Sequence, residues 1–453
     1  MGLPQEFGGL QDRFLSEFGG RKPAWFISVP GRVNLIGEHT DYNGFPVMPM
    51  AVPRAIRMLV AAREDSQVEV KDVAAELYPG REFALSAGIA PYPEGDWGNY
   101  VKAAAQSLVE LALDGGRDAE ALKGMSCLVE GDIPPAAGLS SSTALVVATG
   151  LAFGVVNHLG LGRHALAERM AEAEHYVGTQ GGGMDQAVCL LARPGDALKM
   201  DFFPLRVAPV PLPPDYVVLA AHSTISARKT AEQRLHYNRR VLECNVGAHL
   251  LARRLDMDPP QRLADVAARS RKPAAELVAV LESALGGPEG VTLRRGAVLF
   301  DTEPGRFARQ FLRMEDGRLL PFPGDGLKVL QRCRHVFTEA ERTERAAACL
   351  RSGDMAGFGR LMDESHHSCA QDYEISCYEL DQLVSLMRGA GALGARLTGA
   401  GFGGFAIALV HRDKADDVAR VLGERFYKPR RVSAEGRVHV FRPAAGAIQE
   451  PLS

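Results

Sequence analysis

Residues 131–144 read Gly131-Asp132-Ile133-Pro134-Pro135-Ala136-Ala137-Gly138-Leu139-Ser140-Ser141-Ser142-Thr143-Ala144. The extended run Ser126–Ile133 predicts a strand leading in, and the apolar stretch beyond predicts a helix from about Ser140 to His158. Between them lie small residues that let backbone approach a ligand, and Gly138 can adopt positive φ. The serines fall in the first helical turn, where free N–H groups and the positive end of the dipole favour an anion. Their hydroxyls are also hard oxygen donors of the kind Mg²⁺ prefers. One serine would be an ordinary helix cap. Three in a row after a Pro/Ala/Gly loop fit a phosphate cradle better. No Gly-Lys-Ser/Thr follows, so this is not a Walker A loop.

On either side the pattern alternates between strands and helices. Ala24–Pro30 predicts a strand running into a polar loop, Gly31–Gly44. Arg163–Tyr176 is rich in helix formers, and Ala197–Asp201 and Tyr216–His222 read as strands, the second apolar enough to be buried on both faces. Helices are predicted at about 230–255, 327–350, 376–389 and 414–425, with a mixed, insertion-prone segment at 259–323. The steady βαβ rhythm of a doubly wound sheet is missing, so the fold class is α+β. A soft boundary near 205–220 divides the chain into 1–215 and 216–453.

Two further segments carry chemistry. Gly31–Gly44 (GRVNLIGEHTDYNG) gathers Arg32, Glu38, His39 and Asp41, groups able to pair with hydroxyls. A solvated loop with a few ion pairs fits that pattern about as well. Glu174–Gln186 (EHYVGTQGGGMDQ) places Glu174 at a helix end, where it would complete a Mg²⁺ site. Asp185 follows three glycines, poised to accept a hydroxyl proton or simply to cap the next helix. Gly399–Gly404 matches G-x-G-x-x-G but precedes a strand, Phe405–Val410, instead of opening a helix, so it is not a dinucleotide fingerprint.

The 453-residue length suggests two or more packed domains. A hydrophobic content of 46% marks a globular chain, and a net charge of -3 gives no argument for nucleic acid or an anionic membrane. The apolar stretches fall short of a membrane span. The seven cysteines form no Cys-x-x-Cys pair, which suggests reduced thiols and a cytoplasmic address. His366, His367 and Cys369 lack a second ligand pair at zinc-like spacing, so a structural role is expected for them. Residues 1–20 read as a short amphipathic helix instead of a signal peptide.

Together and in this order, the segments resemble the galactokinase branch of the GHMP small-molecule kinases. Gly31–Asn43 is similar to that branch's signature almost letter for letter, Pro134–Ala144 to the superfamily ATP loop, and Arg396–Gly404 to its C-terminal glycine motif. The resemblance implies an N-terminal domain like the second domain of ribosomal protein S5 and a ferredoxin-like C-terminal domain, with MgATP and sugar in the cleft between them. It implies Asp185 as catalytic base and Arg32 as the cation beside the transferring phosphoryl group. Glu38, His39, Asp41, Gly183 and Tyr237 would meet the sugar. Pro135, Gly138, Leu139, Ser140, Ser141, Ser142, Ala144 and Trp97 would meet ATP, and Ser142 with Glu174 would hold Mg²⁺. A monomer acting on small molecules is expected, with neither nucleic acid nor membrane as partner.

The sequence also departs from the pattern. Thr143 stands where the branch usually has Ala, and the loop is expected to survive the change. Gly178–Gln186, Phe203–Val207 and Ser376–Gly404 lean toward the N-acetylgalactosamine kinase branch, Tyr237 toward galactokinase, and His222–Gln233 differs in length from both. The choice of sugar is therefore open between galactose and its 2-acetamido analogue. Rival readings are a non-enzymatic galactose and ATP sensor, and a kinase for arabinose, galacturonate or mevalonate. The full-length serine loop favours an enzyme, and Glu38-His39-Thr40-Asp41 favours a sugar.

Overall fold

The structure is a computed structural model describing residues 8–134, 138–178, 181–225, 231–314 and 317–452. Its strands are β1 (Trp25–Asn34), β2 (Pro49–Ala62), β3 (Gln67–Asp72), β4 (Arg81–Ala84), β5 (Met125–Gly131), β6 (Asp196–Asp201), β7 (Arg206–Pro211), β8 (Tyr216–His222), β9 (Gly394–Leu397), β10 (Phe405–His411), β11 (Val438–Phe441) and β12 (Ile448–Pro451). The aromatic and β-branched residues of Trp25–Val29 start β1 as their propensity suggests. The strand does not stop where the polar letters begin, however. It continues through Gly31–Asn34, which the sequence had suggested was loop. The register against β2 shifts between Pro30 and Arg32, a bulge that re-aims the side chains and leaves Arg32 buried. A side chain at Gly31 would stand 2.7 Å from the Leu139 carbonyl oxygen, so the close approach of strand and serine loop requires glycine there.

Six strands form a mixed sheet in the order β12-β1-β2-β5-β3-β4, with β3 and β5 parallel and the other neighbours antiparallel. Helices Gly98–Asp114 and Ser141–Val156 pack together, and Ser141–Val156 lies on β1 and β2, which explains why it is apolar nearly all round. A second, antiparallel sheet has the order β11-β8-β10-β9. Counted within its own half that order is 4-1-3-2, with helices after the first and third strands, the ferredoxin-like arrangement. The expected α+β class and ferredoxin-like second sheet are both present.

Period-two alternation shows why β8 is apolar throughout. Val218 and Ala220 join the core of the first sheet, while Val217, Leu219 and Ala221 join the core of the second. That second core is roofed by helices inserted between β8 and β9. They include Ala231–Arg254, Val329–Ser352 and four short helices between 263 and 311, which resolve the mixed segment. No described helix is long and apolar enough to cross a membrane. After β11 the chain returns to the first sheet, where β12 pairs with β1 (Trp25 opposite Pro451).

Candidate active site

Asp185 is the second residue of helix Met184–Leu191, whose N-cap is Gly183 at φ 97°. The cap position belongs to the glycine, so the Asp185 carboxylate is free to point elsewhere. It forms a two-pronged ion pair with Arg32, Nε to Oδ1 at 2.7 Å and Nη2 to Oδ2 at 2.8 Å, and Oδ2 also accepts from the Ser140 hydroxyl. Arg32 Nη1 donates to the Gly138 carbonyl at 2.5 Å, tying strand, serine loop and Asp185 helix into one unit. Burial works against the Arg32 charge, but the Asp185 carboxylate outweighs it and raises the guanidinium above its ordinary range.

Asp41 lies against the same loop. A Cβ on Gly182 would come within 2.3 Å of the Tyr42 nitrogen and 2.5 Å of Asp41 Cγ. Backbone N–H groups of Tyr42, Met184 and Gly182 near the Asp41 carboxylate favour its charged form. Burial outweighs them and, with the nearby Asp185 charge, pushes Asp41 up to about 6. His39 adopts a left-handed backbone (φ 60°), and burial pushes its ring down to about 3, so it is neutral. Its Nε2 faces the Ala400 carbonyl at 3.2 Å, an atom that only accepts, which assigns the ring proton to Nε2. Nδ1 then accepts from the Tyr42 hydroxyl (2.9 Å), which in turn accepts from Tyr373 (2.7 Å). Tyr237 closes this wall, its ring 5.2 Å from that of His39.

Arg32, His39, Asp41, Asp185 and Tyr237 line one cleft of about 590 Å³, together with Ser140, Ser141, Ser142, Glu174 and the glycine loop 399–403 between β9 and β10. Ser140 occupies the N-cap of helix Ser141–Val156 at φ 62° but makes no side-chain cap, since its hydroxyl goes to Asp185. The N–H groups of the first turn are thereby left without that cap. Glu174 is buried, lines the cleft and accepts from the Thr143 hydroxyl at 2.6 Å. The far end of the cleft is apolar. There Trp97 meets Tyr78 edge to face and is anchored by Nε1 to the Pro79 carbonyl at 3.0 Å.

Two residues expected at ATP stand elsewhere. Leu139 and Ala144 are fully buried in the first core behind the loop, because an apolar side chain beside the β1 bulge is better removed from water than offered to a phosphate. Leu139 contributes only its carbonyl, accepting from Arg32 N at 3.1 Å. Pro135 lies outside the described residues, as do residues 179–180 and part of 222–233.

Reading the sequence also missed the buried charges that hold Glu38. Its carboxylate is 1% exposed and accepts from the Asn34 amide and from Gly399 N at 2.6 Å. Arg396, 0% exposed, is shared: 3.6 Å from Glu38 Oε2 and 3.9 Å from Glu339 Oε1. Glu339 has the better company. Arg342 Nε at 2.7 Å, Gly37 N at 2.9 Å and the Ser365 hydroxyl all donate to it. Burial disfavours its charge, yet Arg342 and Arg396 hold it down to about 2, whereas burial wins at Glu38 and raises it. A signal was present in the sequence: Glu339 occupies the apolar stripe of its helix, between Val336 and Thr343, where an unpaired carboxylate would be costly.

The chain matches known proteins over most of its length. Residues 12–62 match the galactokinase galactose-binding signature, 99–193 the GHMP kinases N-terminal domain and 346–428 the GHMP kinases C-terminal family. The chain is 31% identical to the galactokinase of Dictyostelium discoideum over 444 residues, covering 92% of this chain and 87% of that one. It is 34% identical to the galactokinase of Chloroflexus aggregans, covering 88% and 87%. The crystal structure of Lactococcus lactis galactokinase complexed with galactose superposes with a TM-score of 0.77 at 26% identity, covering 98% of this chain and 100% of that one. A sugar kinase follows from these matches, and this chain belongs to the galactokinase family of the GHMP kinases.

Proposed function

We propose that this enzyme transfers the γ-phosphoryl group of ATP to the anomeric hydroxyl of galactose, giving galactose 1-phosphate and ADP. The observation that carries the reading is the Asp185 carboxylate, held by Arg32 and Ser140 between Asp41 and the serine turn. Among the described residues its Oδ2 accepts from two donors, whereas Oδ1 accepts from Arg32 Nε alone. A carboxylate oxygen has two acceptor sites, so Oδ1 keeps one for the C1 hydroxyl. That hydroxyl oxygen forms the new bond to the γ-phosphorus as the bond to the β–γ bridging oxygen breaks, and its proton passes to Asp185. Arg32, fixed on the Gly138 carbonyl, is the cation beside the transferring group.

Glu38, His39, Asp41, Gly183 and Tyr237 form the sugar side of the cleft. Ser140–Ser142 and the helix N-terminus form the phosphate side, with Trp97 at the base. Ser142 and Glu174 suit Mg²⁺ as hard oxygen donors, and Glu174 is a buried carboxylate with no ion pair among the described residues. Bound there, Mg²⁺ would supply positive charge against the phosphates. The lobes are taken to divide at 215/216, with the last strand rejoining the first. Asp185→Asn should lower kcat by roughly 10²–10⁴-fold with galactose. Near-parental turnover would defeat the assignment of the base. Comparing kcat/KM for galactose, N-acetylgalactosamine, arabinose and glucose tests the sugar, and a preference other than galactose overturns that part.

A further inference from the structure

Ser141, Ser142 and Thr143 all line the cleft, and Thr143 is the most buried of the three. Thr143 is 2% exposed, and its hydroxyl donates to Glu174 Oε1 at 2.6 Å. The hydroxyl is the donor and the carboxylate oxygen the acceptor. Glu174 is itself 5% exposed, yet it lines the cleft beyond the serine turn. Among the described residues Thr143 is the sole side chain that hydrogen-bonds it, and no arginine or lysine pairs with it. A buried carboxylate with one neutral donor and no counter-ion is an incomplete site, since buried charges in proteins are paired or coordinate a metal. The usual alanine at this place in the galactokinase pattern offers no such donor.

We propose that Thr143 is a positioning residue for Mg²⁺: by occupying Oε1 it fixes the Glu174 carboxylate so that Oε2 is the oxygen left to ligate the ion. The inference rests on the assignment of Glu174 to the metal made above. Its physical content is that of an outer-sphere partner, which orients a ligand and removes the freedom the carboxylate would otherwise lose on binding the ion. Adjacent residues at the head of one helix then divide the work, Ser142 offering an oxygen to the cleft and Thr143 bracing the second ligand.

The test uses Mn²⁺ as the ion, titrated into the whole enzyme with ADP and read as loss of the free-ion electron paramagnetic resonance signal. Thr143→Val keeps the shape and deletes the donor; it should weaken Mn²⁺ binding by roughly 10–100-fold. Thr143→Ser, which restores the hydroxyl, should bind like the parent. Galactose binding without nucleotide, measured by calorimetry, should be unchanged in both and reports a folded protein. If valine disturbs the packing and galactose binding fails, Thr143→Ala carries the same comparison with no added bulk. Parental Mn²⁺ affinity in Thr143→Val, or an equal loss in Thr143→Ser, overturns the proposal. Glu174→Gln separates the two layers. If it abolishes Mn²⁺ binding while Thr143→Val does not, only the positioning role falls. If Glu174→Gln binds Mn²⁺ normally, the metal assignment falls and this inference with it.

Discussion

Replacing Glu339 by glutamine tests whether buried charge in the second half of the chain sets the sugar loop in the first. One carboxylate oxygen accepts from Gly37 N and the Ser365 hydroxyl, the other from Arg342 Nε. Glutamine turns one of these acceptors into an NH₂ group, so in either orientation a donor confronts a donor, and Arg396 loses one of its two counter-charges. Two lines of reasoning give the magnitude. Holding the group at about 2 against an ordinary 4.5 corresponds to about 3 kcal/mol of stabilisation at neutral pH. Removing one partner of a buried ion pair independently costs roughly 3–5 kcal/mol. A loss of about 3–4 kcal/mol is therefore expected, read as a lower midpoint in urea at an unchanged m-value. The sign with pH follows from a depressed folded-state pKa. The stabilisation is whole above 4.5 and is lost as pH falls from there toward 2, so parent and variant should converge across that window. A variant within about 1 kcal/mol of the parent at pH 7, or a gap still undiminished at pH 2–3, would refute the reasoning.

Gly182→Ala would place a methyl group 2.3 Å from the Tyr42 nitrogen and 2.5 Å from Asp41 Cγ. The two loops must part by about 1 Å, and kcat/KM should fall by roughly 10²-fold; parental kcat/KM would show that the contact does not set the geometry. In the sugar-binding role proposed for it, Asp41, pushed up to about 6 chiefly by burial, accepts from the sugar as a carboxylate. Galactose affinity measured by calorimetry should therefore weaken as pH falls below 6, and a flat profile from pH 7.5 to 5 would sink the idea. Linkage adds an opposite effect on stability. The raised pKa means this group favours folding most below its unfolded value of 3.8 and loses that contribution as pH rises through about 6.

Elements whose pattern reports their own burial were legible from the letters alone. The strand read at Tyr216–His222 is the observed β8, and the helix read from Ser140 to His158 runs from Ser141 to Val156, because both are apolar over their whole length. The end of β1 was not legible. Arg32 and Asn34 are polar letters, and what makes them strand interior is company from far along the chain: Asp185 for Arg32, Thr398 for Asn34. The convergence of Arg32, Asp41, Asp185 and the serines on one cleft was expected from the resemblance to the galactokinase branch. Their supports, Glu339 and Arg396, were not, since a charge buried by partners three hundred residues away resembles any other charge in a string. Leu139 and Ala144 were placed at the ligand by association with their loop, where the backbone faces the cleft and the side chains face the core.

The pairing of β12 with β1 has a consequence for how the molecule is made. Residues 25–28 leave the ribosome well before the partner that covers their outer edge, 448–451, has been made. At ordinary synthesis speeds of about 5–20 residues per second, that edge waits roughly 20–80 s for its partner. An open strand edge bearing Trp25 and Phe26 invites pairing with another chain during that interval. The lobe that is translated first is thus closed only after the second has been made.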